Sequence, residues 1–389
     1  MSELNLTHSN GNKVKLTTPD TLSANKTFKL PGADGSVGQV LQTDGSGALS
    51  FTSQAPSNRR LNYNGAMLVN QRGNINTGSF SYYYGPDRYY SQGNGNNNGN
   101  WDIGQSTDVP DGYGFKYSLS YDCTTTSSHA DRYLMTIYRM EGNDSMVFNY
   151  GTANAKTVTL SFWIKCSKAG NFQVNFENED GVDAGYQTQQ TINTAGQWEK
   201  KVVTIPGDTS KALIFGTQKA FCFDIVYSAF GTYASQTPTA AWSTLANEQR
   251  GGHCNIDLFD STSNYVRITG VQLELGDHAT DFEHLPYQVE LQRCKRYYQT
   301  AAYTTMMGSL AGQVGTPKIL FEVEMRAIPS SVTTEYSGNG NGTFRNQNDG
   351  STLTGNTTFN YYINGFDCRG NNGSANIIYA STYIAEAEI

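Results

Sequence analysis

The stretch Thr157-Val158-Thr159-Leu160-Ser161-Phe162-Trp163-Ile164-Lys165 decides the fold class. β-branched and aromatic residues crowd it, the composition that fits a pleated, half-buried surface. Runs of the same kind recur on both sides: Tyr117 to Tyr121, Tyr133 to Arg139, Phe172 to Phe176, Glu199 to Ile205, Ala212 to Phe215, Phe221 to Val226, Asn255 to Phe259 and Val266 to Leu275. Turn signals such as Gly142-Asn143-Asp144 and Glu179-Asp180-Gly181 separate them. Strands this frequent predict a β-sandwich, specifically a jelly roll of about eight to ten strands.

Composition agrees with that reading. Charged residues make up 16% of the 389-residue chain, while Gly stands at 40 and Tyr at 25. A globular protein ordinarily carries about a quarter charged residues. Long amphipathic helical periods are nearly absent, so the class is all-β.

Outward from the sandwich, the two ends differ from it. Residues 1–56 read as a separate attachment or trimerisation arm. Apolar residues alternate in short strokes, Leu4 and Leu6, Val14 and Leu16, Phe28 and Leu30, Leu49 and Phe51, the period of strands with one buried face. Asn10-Gly11-Asn12, Pro31-Gly32, Asp34-Gly35 and Asp44-Gly45 mark the turns. So few apolar groups in ~50 residues form no independent core, and symmetric copies of the chain are the simplest source of partners. The sandwich is assigned to residues 57–288. After it, Pro286 to Gln299 reads as a helix, with Val289, Cys294 and Tyr297 or Tyr298 sharing a face and Leu291 beside them. It leads residues 289–389, a smaller C-terminal β-sandwich with strands at Ile319 to Glu324, Ser331 to Tyr336, Phe359 to Ile363 and Asn376 to Ile384. A polar loop, Gly338 to Gly355, interrupts them.

Net charge is −7 and the pI near 5.3. Lys and Arg are scattered, coming close only at Arg59-Arg60 and Arg293 to Arg296, which argues against nucleic acid or an anionic membrane as partner. The six cysteines, Cys123, Cys166, Cys222, Cys254, Cys294 and Cys368, lack C-x-x-C spacing and read as free buried thiols of a protein folded in a reducing cytoplasm. The leading residues carry no basic and apolar signal pattern. No run approaches the roughly 18 apolar residues of a membrane span.

Three stretches carry a family likeness. Leu30 to Gly35 with Gly38 to Gly45 and Leu49-Ser50-Phe51 resembles a segment near the start of phage fibre proteins, especially marine and cyanobacterial ones. Asn64-Gly65-Ala66-Met67 to Gln71-Arg72-Gly73, with Asp87-Arg88-Tyr89, resembles the start of a carbohydrate-binding-like jelly roll in tail fibres. Its end is similar to Gly270 to Gly276, Ala279 to Glu283, Glu290-Leu291 and Cys294 to Tyr298. Glu322 to Pro329 resembles the strand opening the C-terminal sandwich of such proteins. The resemblance implies a homotrimeric virion protein whose far end contacts the host surface; it does not imply catalysis, and no enzyme activity is expected. It also implies partners among other tail or neck proteins through the arm. A head or neck position stays open, since neither a long virion-anchoring domain nor a coiled-coil shaft is visible.

Candidate binding residues follow from chemistry. Aromatic faces pack on the C–H faces of pyranoses while amides satisfy hydroxyls. Tyr82, Tyr84, Tyr89 and Trp101 form one candidate glycan surface, with packing between subunits as the rival reading. Tyr336, Asn339, Asn341, Arg345 and Asn346 form a second, on an exposed loop; an inert loop is its rival. Glu177, Glu179, Asp180 and Asp183 offer hard oxygen ligands for a structural Ca²⁺, against the plainer reading of a solvated turn. No other cofactor is expected. The histidines lack metal-ligand spacing, and neither a G-x-S-x-G elbow nor a P-loop occurs. The expectation is a trimeric fibre attaching to host cell-surface polysaccharide; a capsid or neck decoration protein is the alternative, and a glycan depolymerase stands behind both.

Overall fold

The computed structural model describes residues 3–7, 11–17, 21, 23, 25, 27–35, 39–53, 59–78, 80–94, 99–178, 184–310, 313–315, 318–335, 343–346, 352–354, 358–370 and 377–389. The chain divides into two compact units, Met1–Ser57 and Asn58–Ile389.

The first unit holds two antiparallel hairpins. β1 (Glu3–Thr7) pairs with β2 (Lys13–Thr17), setting Leu4 opposite Leu16 and Leu6 opposite Val14. β3 (Gln39–Thr43) pairs with β4 (Leu49–Ser53), setting Leu41 opposite Phe51. Asp44 closes the second turn: its Oδ1 accepts the N–H groups of Ser46 at 2.8 Å and Ala48 at 2.9 Å, an Asx turn in which Gly45 takes φ +79°. Among the described residues the unit shows no second layer. Phe28 is 65% exposed and Leu30 77%, and Val40, Leu41 and Phe51 are also exposed.

The second unit begins with the strands of the sandwich: β5 (Ile75–Thr77), β6 (Phe80–Tyr82), β7 (Tyr89–Asn94), β8 (Asn100–Ser106), β9 (Ser118–Thr125), β10 (Tyr133–Glu141), a single helical turn α1 (Gly142–Ser145), β11 (Val158–Cys166), β12 (Gly170–Asn178), β13 (Ala184–Ile192), β14 (Trp198–Ile205), β15 (Lys219–Ala229), β16 (Ser243–Thr244) and β17 (Tyr265–Leu275). Seven form one sheet in the order β16-β13-β12-β15-β10-β7-β6, and six the other in the order β14-β11-β17-β9-β8-β5. This is the expected jelly-roll sandwich, widened beyond eight to ten strands by the short β5, β6 and β16. Ala212 to Phe215 and Asn255 to Phe259 form no strands. Leu213, Ile256, Leu258 and Phe259 still reach the core, because burial in a loop leaves the same apolar signature as burial in a ladder.

Both sheets send alternate side chains inward. Phe172, Val174 and Phe176 of β12 and Phe221, Phe223, Ile225 and Tyr227 of β15 share one core with Leu160, Phe162 and Ile164 of β11. Rings meet across the layers: Phe162 and Phe172 lie 6.3 Å apart, edge to face, and Tyr121 and Tyr227 lie 5.7 Å apart. The hydroxyls of Tyr121 and Tyr227 are paired. Tyr121 shares hydrogen bonds with Ser91 and Thr136 at 2.7 Å, and Tyr227 donates to Thr136 at 2.8 Å, removing the cost of an orphaned polar group. Burial pushes the Tyr121 phenol up to about 12. Cys123, Cys166, Cys222, Cys254 and Cys294 are free thiols.

Helix α2 (Tyr287–Lys295) starts directly after Pro286. Its buried face keeps the expected Cys294, with Tyr297 and Tyr298 buried beyond it, but takes Glu290 in place of Val289. Val289 is 37% exposed, whereas Glu290 and Cys294, one turn apart, are buried. Arg60 explains the burial of Glu290, since its guanidinium pairs with that carboxylate inside the protein. Beyond α2 come β18 (Tyr298–Leu310), β19 (Gln313–Gly315), β20 (Ile319–Leu320), β21 (Ser331–Glu335), β22 (Thr343–Asn346), β23 (Thr352–Thr354), β24 (Thr358–Tyr362), β25 (Gly365–Gly370) and β26 (Ile377–Glu386). They run in the order β20-β25-β19-β18-β26-β22-β23, with β21 on β26 and β24 on β25. Phe321, Met325, Val332, Phe366 and Tyr383 form a small core. Three differences from the sequence reading stand out. β18 was not anticipated, Ile319 to Glu324 is a strand only at Ile319–Leu320, and the expected loop 338–355 contains β22 and β23.

The quoted sequence motifs meet where the C-terminal strands join the sandwich. Asn62 donates to the Val271 carbonyl at 2.9 Å and accepts the Leu273 N–H at 2.8 Å, while Asn64 donates its own N–H to Glu290 at 2.8 Å. A Cβ on Gly65 would lie 2.0 Å from the Val271 carbonyl oxygen, so only glycine fits there. Arg72 lies 3.8 Å over the Tyr298 ring and pairs with Glu386 at 3.2 Å and Glu388 at 3.1 Å. Arg88 lies 3.4 Å over the Tyr297 ring and pairs with Glu388. Arg296 bonds Glu141 at 2.9 Å.

Candidate functional site

The outward positions of the seven-stranded sheet follow from its inward ones. Register sets Gln173, Asn175 and Glu177 of β12 beside Val226, Asp224 and Cys222 of β15. These meet Met135, Ile137 and Arg139 of β10, and then Gln92 and Tyr90 of β7. The connection between β15 and β17 folds back over this face. Gln173 pins it, donating to the carbonyls of Gln249 at 2.8 Å and Arg250 at 2.9 Å and accepting the His253 N–H at 3.0 Å. Asn175 adds a bond to the Arg250 carbonyl at 2.9 Å.

Between sheet and connection lies a cavity of about 200 Å³ lined by Gln92, Ile137, Arg139, Tyr233, Asn247 and Arg250, with Glu177 and Asp224 on its floor. Arg139 also borders a neighbouring cleft of about 480 Å³, whose walls include Tyr82, Tyr83, Tyr90, Lys219 and Glu386. The two cavities share Arg139 and are together called the groove; Tyr233 lines the narrower, and Tyr82, Tyr83 and Tyr90 the wider. Tyr133 and Tyr233 lie 4.3 Å apart, Tyr83 and Tyr90 5.0 Å apart, and Arg139 lies 4.1 Å over Tyr90.

Electrostatics in the groove centre on Arg250. It bonds Glu177 at 2.9 Å and Asp224 at 3.1 Å. Burial alone would raise the Glu177 carboxyl; the Arg250 charge and the Asp224 hydrogen bond hold it below the usual range instead. Burial lowers His253 and pushes the Cys254 thiol up to about 12, which keeps that sulfur protonated and unreactive near neutrality. The arrangement offers ring faces, amides and fixed charges around a narrow space, the equipment for holding a polyhydroxylated ligand.

The residues picked out by sequence divide. Tyr82 lines the wider cleft, 41% exposed. Tyr84 is half-buried against the core. Tyr89 and Trp101 are corrections: both are fully buried, Tyr89 against Tyr138 at 5.4 Å and Trp101 against Phe259 at 5.2 Å. They occupy inward strand positions, so no glycan reaches them. Tyr90 faces the groove instead, one residue away. Glu177 is also relocated. It lies on β12 under Arg250, whose guanidinium supplies its counter-charge, and Cys222 and Asp224 lie beside it. Glu179, Asp180, Asp183, Tyr336, Asn339 and Asn341 lie outside the described residues, and Arg345 and Asn346 are described only as backbone of β22, opposite Ala380 and Tyr379 of β26. Sequence reasoning missed Tyr233 and Arg250; a strand-parity count would have found Tyr90 and Arg139.

No protein-family model matches the chain, and neither does any curated protein sequence. Among solved structures it is similar to the enzymatically active domain of tailspike protein 4 of bacteriophage CBA120, at 10% identity over 56% of this chain and 22% of that one, TM-score 0.30. The chain therefore spans about a fifth of that structure's length. It is also similar to a family 11 carbohydrate-binding module from Clostridium thermocellum in complex with a mixed-linked tetrasaccharide, at 13% identity over 55% of this chain and 98% of that one, TM-score 0.25. A family 16 carbohydrate-binding module matches at 11% identity over 44% of this chain and 84% of that one, TM-score 0.20.

Proposed function

We propose that this chain is a non-catalytic, surface-recognising virion fibre subunit that binds host cell-surface polysaccharide through the groove on its seven-stranded sheet. The observation that carries the reading is the groove itself: tyrosine faces and amides around a space that a rigid, doubly covered sheet holds open. The exposed apolar side chains of the leading unit, Phe28, Leu30 and Leu41, support a homotrimer in which sister arms cover them, with tethered copies raising effective concentration at the host surface. Virion tail or neck proteins are the partners proposed for the arm.

The full chain in sedimentation velocity is expected to run as an elongated trimer, and to be pulled down by host cells or lipopolysaccharide. A variant lacking residues 1–57 should run as a folded monomer that still binds soluble glycan, though less tightly at a surface. A compact monomer from the full chain sinks the fibre reading. Trimers that ignore host cells leave the alternative, a capsid or neck decoration protein, which electron microscopy of labelled particles would locate.

A further inference from the structure

A second aromatic surface lies on the opposite side of the sandwich, on the outer face of the six-stranded sheet. Trp163 is the outward residue between Phe162 and Ile164 of β11, both of which enter the core. Its ring lies 4.4 Å from that of Tyr113, tilted by 48°. Tyr113 is 53% exposed, held by the loop before β9, where His284 Nε2 sits 2.9 Å from its carbonyl oxygen. Below them, Phe115 packs edge-on against Phe282 at 5.0 Å. Gly270 makes the close approach possible: at φ +62°, its missing Cβ would lie 2.6 Å from Phe115 Cζ and 3.0 Å from Trp163 Cδ1. The result is a shelf of two tilted rings over a cavity of about 360 Å³, inside the roughly 300–1,000 Å³ range of small-ligand sites.

The rim carries one charge of each sign. Lys200 lies opposite Trp163 in the ladder, Asp281 lines the other side, and both are exposed. Neither side chain forms an ion pair or side-chain hydrogen bond with any described residue. The Trp163 indole N–H likewise has no partner among the described residues. Rings at the centre, with a cation, an anion and an indole donor around them, present hydroxyl-binding groups of both polarities.

We infer that the Tyr113–Trp163 shelf is a second sugar subsite, taking a neutral hexopyranose unit of a polysaccharide. The pyranose C–H face packs on the rings, while ring hydroxyls donate to Asp281 and accept from Lys200 and the Trp163 N–H. The paired opposite charges favour a neutral polyol over an acidic sugar. This inference rests on the glycan-binding reading and extends it to a second face, so that one fibre could engage two chains of the same surface polymer.

The test is native affinity electrophoresis of the full chain in gels cast with galactomannan, hydroxyethylcellulose or alginate. Three variants are run beside it: Tyr113→Ala and Trp163→Ala on the shelf, Tyr233→Ala in the groove. The wild type should be retarded by a neutral polymer more than by alginate, and each shelf variant should weaken that retardation about tenfold, the scale of one lost aromatic contact. Tyr113→Ala is the control against misfolding, because an exposed ring can be removed without opening the core. Retardation unchanged in both shelf variants, with Tyr233→Ala still weakening it, overturns the shelf and leaves the groove standing. Stronger retention by alginate overturns the neutral-sugar assignment. If the shelf variants instead abolish self-association in sedimentation, the surface belongs to a second copy. If no gel retards the wild type, shelf and groove fall together.

Discussion

The joint beneath the C-terminal strands and the groove on the seven-stranded sheet are made of the same residue types, arginine, carboxylate and tyrosine, yet they do opposite things. At the joint, Arg60 and Glu290 are essentially inaccessible, and the Arg72 and Arg88 guanidiniums are sandwiched between carboxylates and the rings of Tyr298 and Tyr297. In the groove, Arg250 keeps 23% of its side chain exposed and borders a cavity. Residue chemistry alone therefore does not tell the two regions apart; the open volume beside Arg250 does.

The largest effect should come from Glu290→Ala. The substitution leaves Arg60 buried without a counter-charge and the Asn64 N–H without its acceptor. Removing one partner of a buried pair costs about 3–5 kcal/mol, which differential scanning calorimetry would read as a melting point lower by many degrees. Glycan affinity below the transition should stay unchanged. A variant that melts like the wild type would mean that Arg60 finds another partner and that the joint does not hold the C-terminal strands.

Arg250→Met strikes the groove. It strands Glu177 and Asp224, at a cost of about 1–3 kcal/mol, less than at the joint because Arg250 is partly in solvent. The pH dependence separates the two forms. In the wild type the Glu177 carboxyl sits below its ordinary value, so its stabilising contribution is complete above the unfolded value of about 4.3 and is lost as pH falls through the folded one. Without Arg250, burial raises the same carboxyl above its unfolded value, and its contribution fades as pH rises instead. Denaturant melts at pH 5 and pH 8 should show the variant's deficit growing toward pH 8. A deficit independent of pH would remove Arg250 as the charge that organises the groove.

The joint was more legible in the sequence than the groove. Asn64-Gly65, Asp87-Arg88, Gly270 to Gly276 and Cys294 to Tyr298 could be quoted as short, ordered motifs, because close backbone approach and buried pairing demand particular residues at fixed places. Strand existence was plain for β9 to β12, β14, β15 and β17, whose apolar runs and turn residues are local signals, but not for the more polar β7, β8 and β13 or for β18. Facing was harder. Tyr89 and Tyr90 are chemically identical neighbours, and only the inward run of β7, Tyr89 with Ser91 and Gly93, assigns one to the core. Arg250 lies far along the chain from Glu177 and in a connection with no periodic pattern, so nothing in the string links them. The α2 face misled for a related reason: Glu290 looks solvent-bound until Arg60, from the other end of the sandwich, is seen beside it.

Tyr90→Ala sharpens that facing argument. Its ring lies under Arg139 and meets Tyr83 edge to face on the groove side, so glycan affinity in isothermal titration should fall about tenfold, the scale of one aromatic contact. The melting point should move little, because Tyr90 is only half-buried. An unchanged affinity with a large loss of stability would reverse the assignment and return Tyr90 to the core.

The smallest effect is expected at Tyr82→Phe, which sits where joint and groove touch. The Tyr82 hydroxyl donates to Glu386 at 2.6 Å, but Glu386 also pairs with Arg72 at 3.2 Å. Deleting the hydroxyl leaves the carboxylate neutralised and the phenyl ring in the cleft wall, so stability should drop by less than about 1 kcal/mol. Glycan affinity should change less than twofold, because a hydroxyl already committed to Glu386 has little left to offer a sugar. A loss as large as that of Tyr90→Ala would show that the hydroxyl leaves Glu386 for the ligand. The boundary between latch and groove would then lie on the far side of Tyr82, and Glu386 would belong to the site.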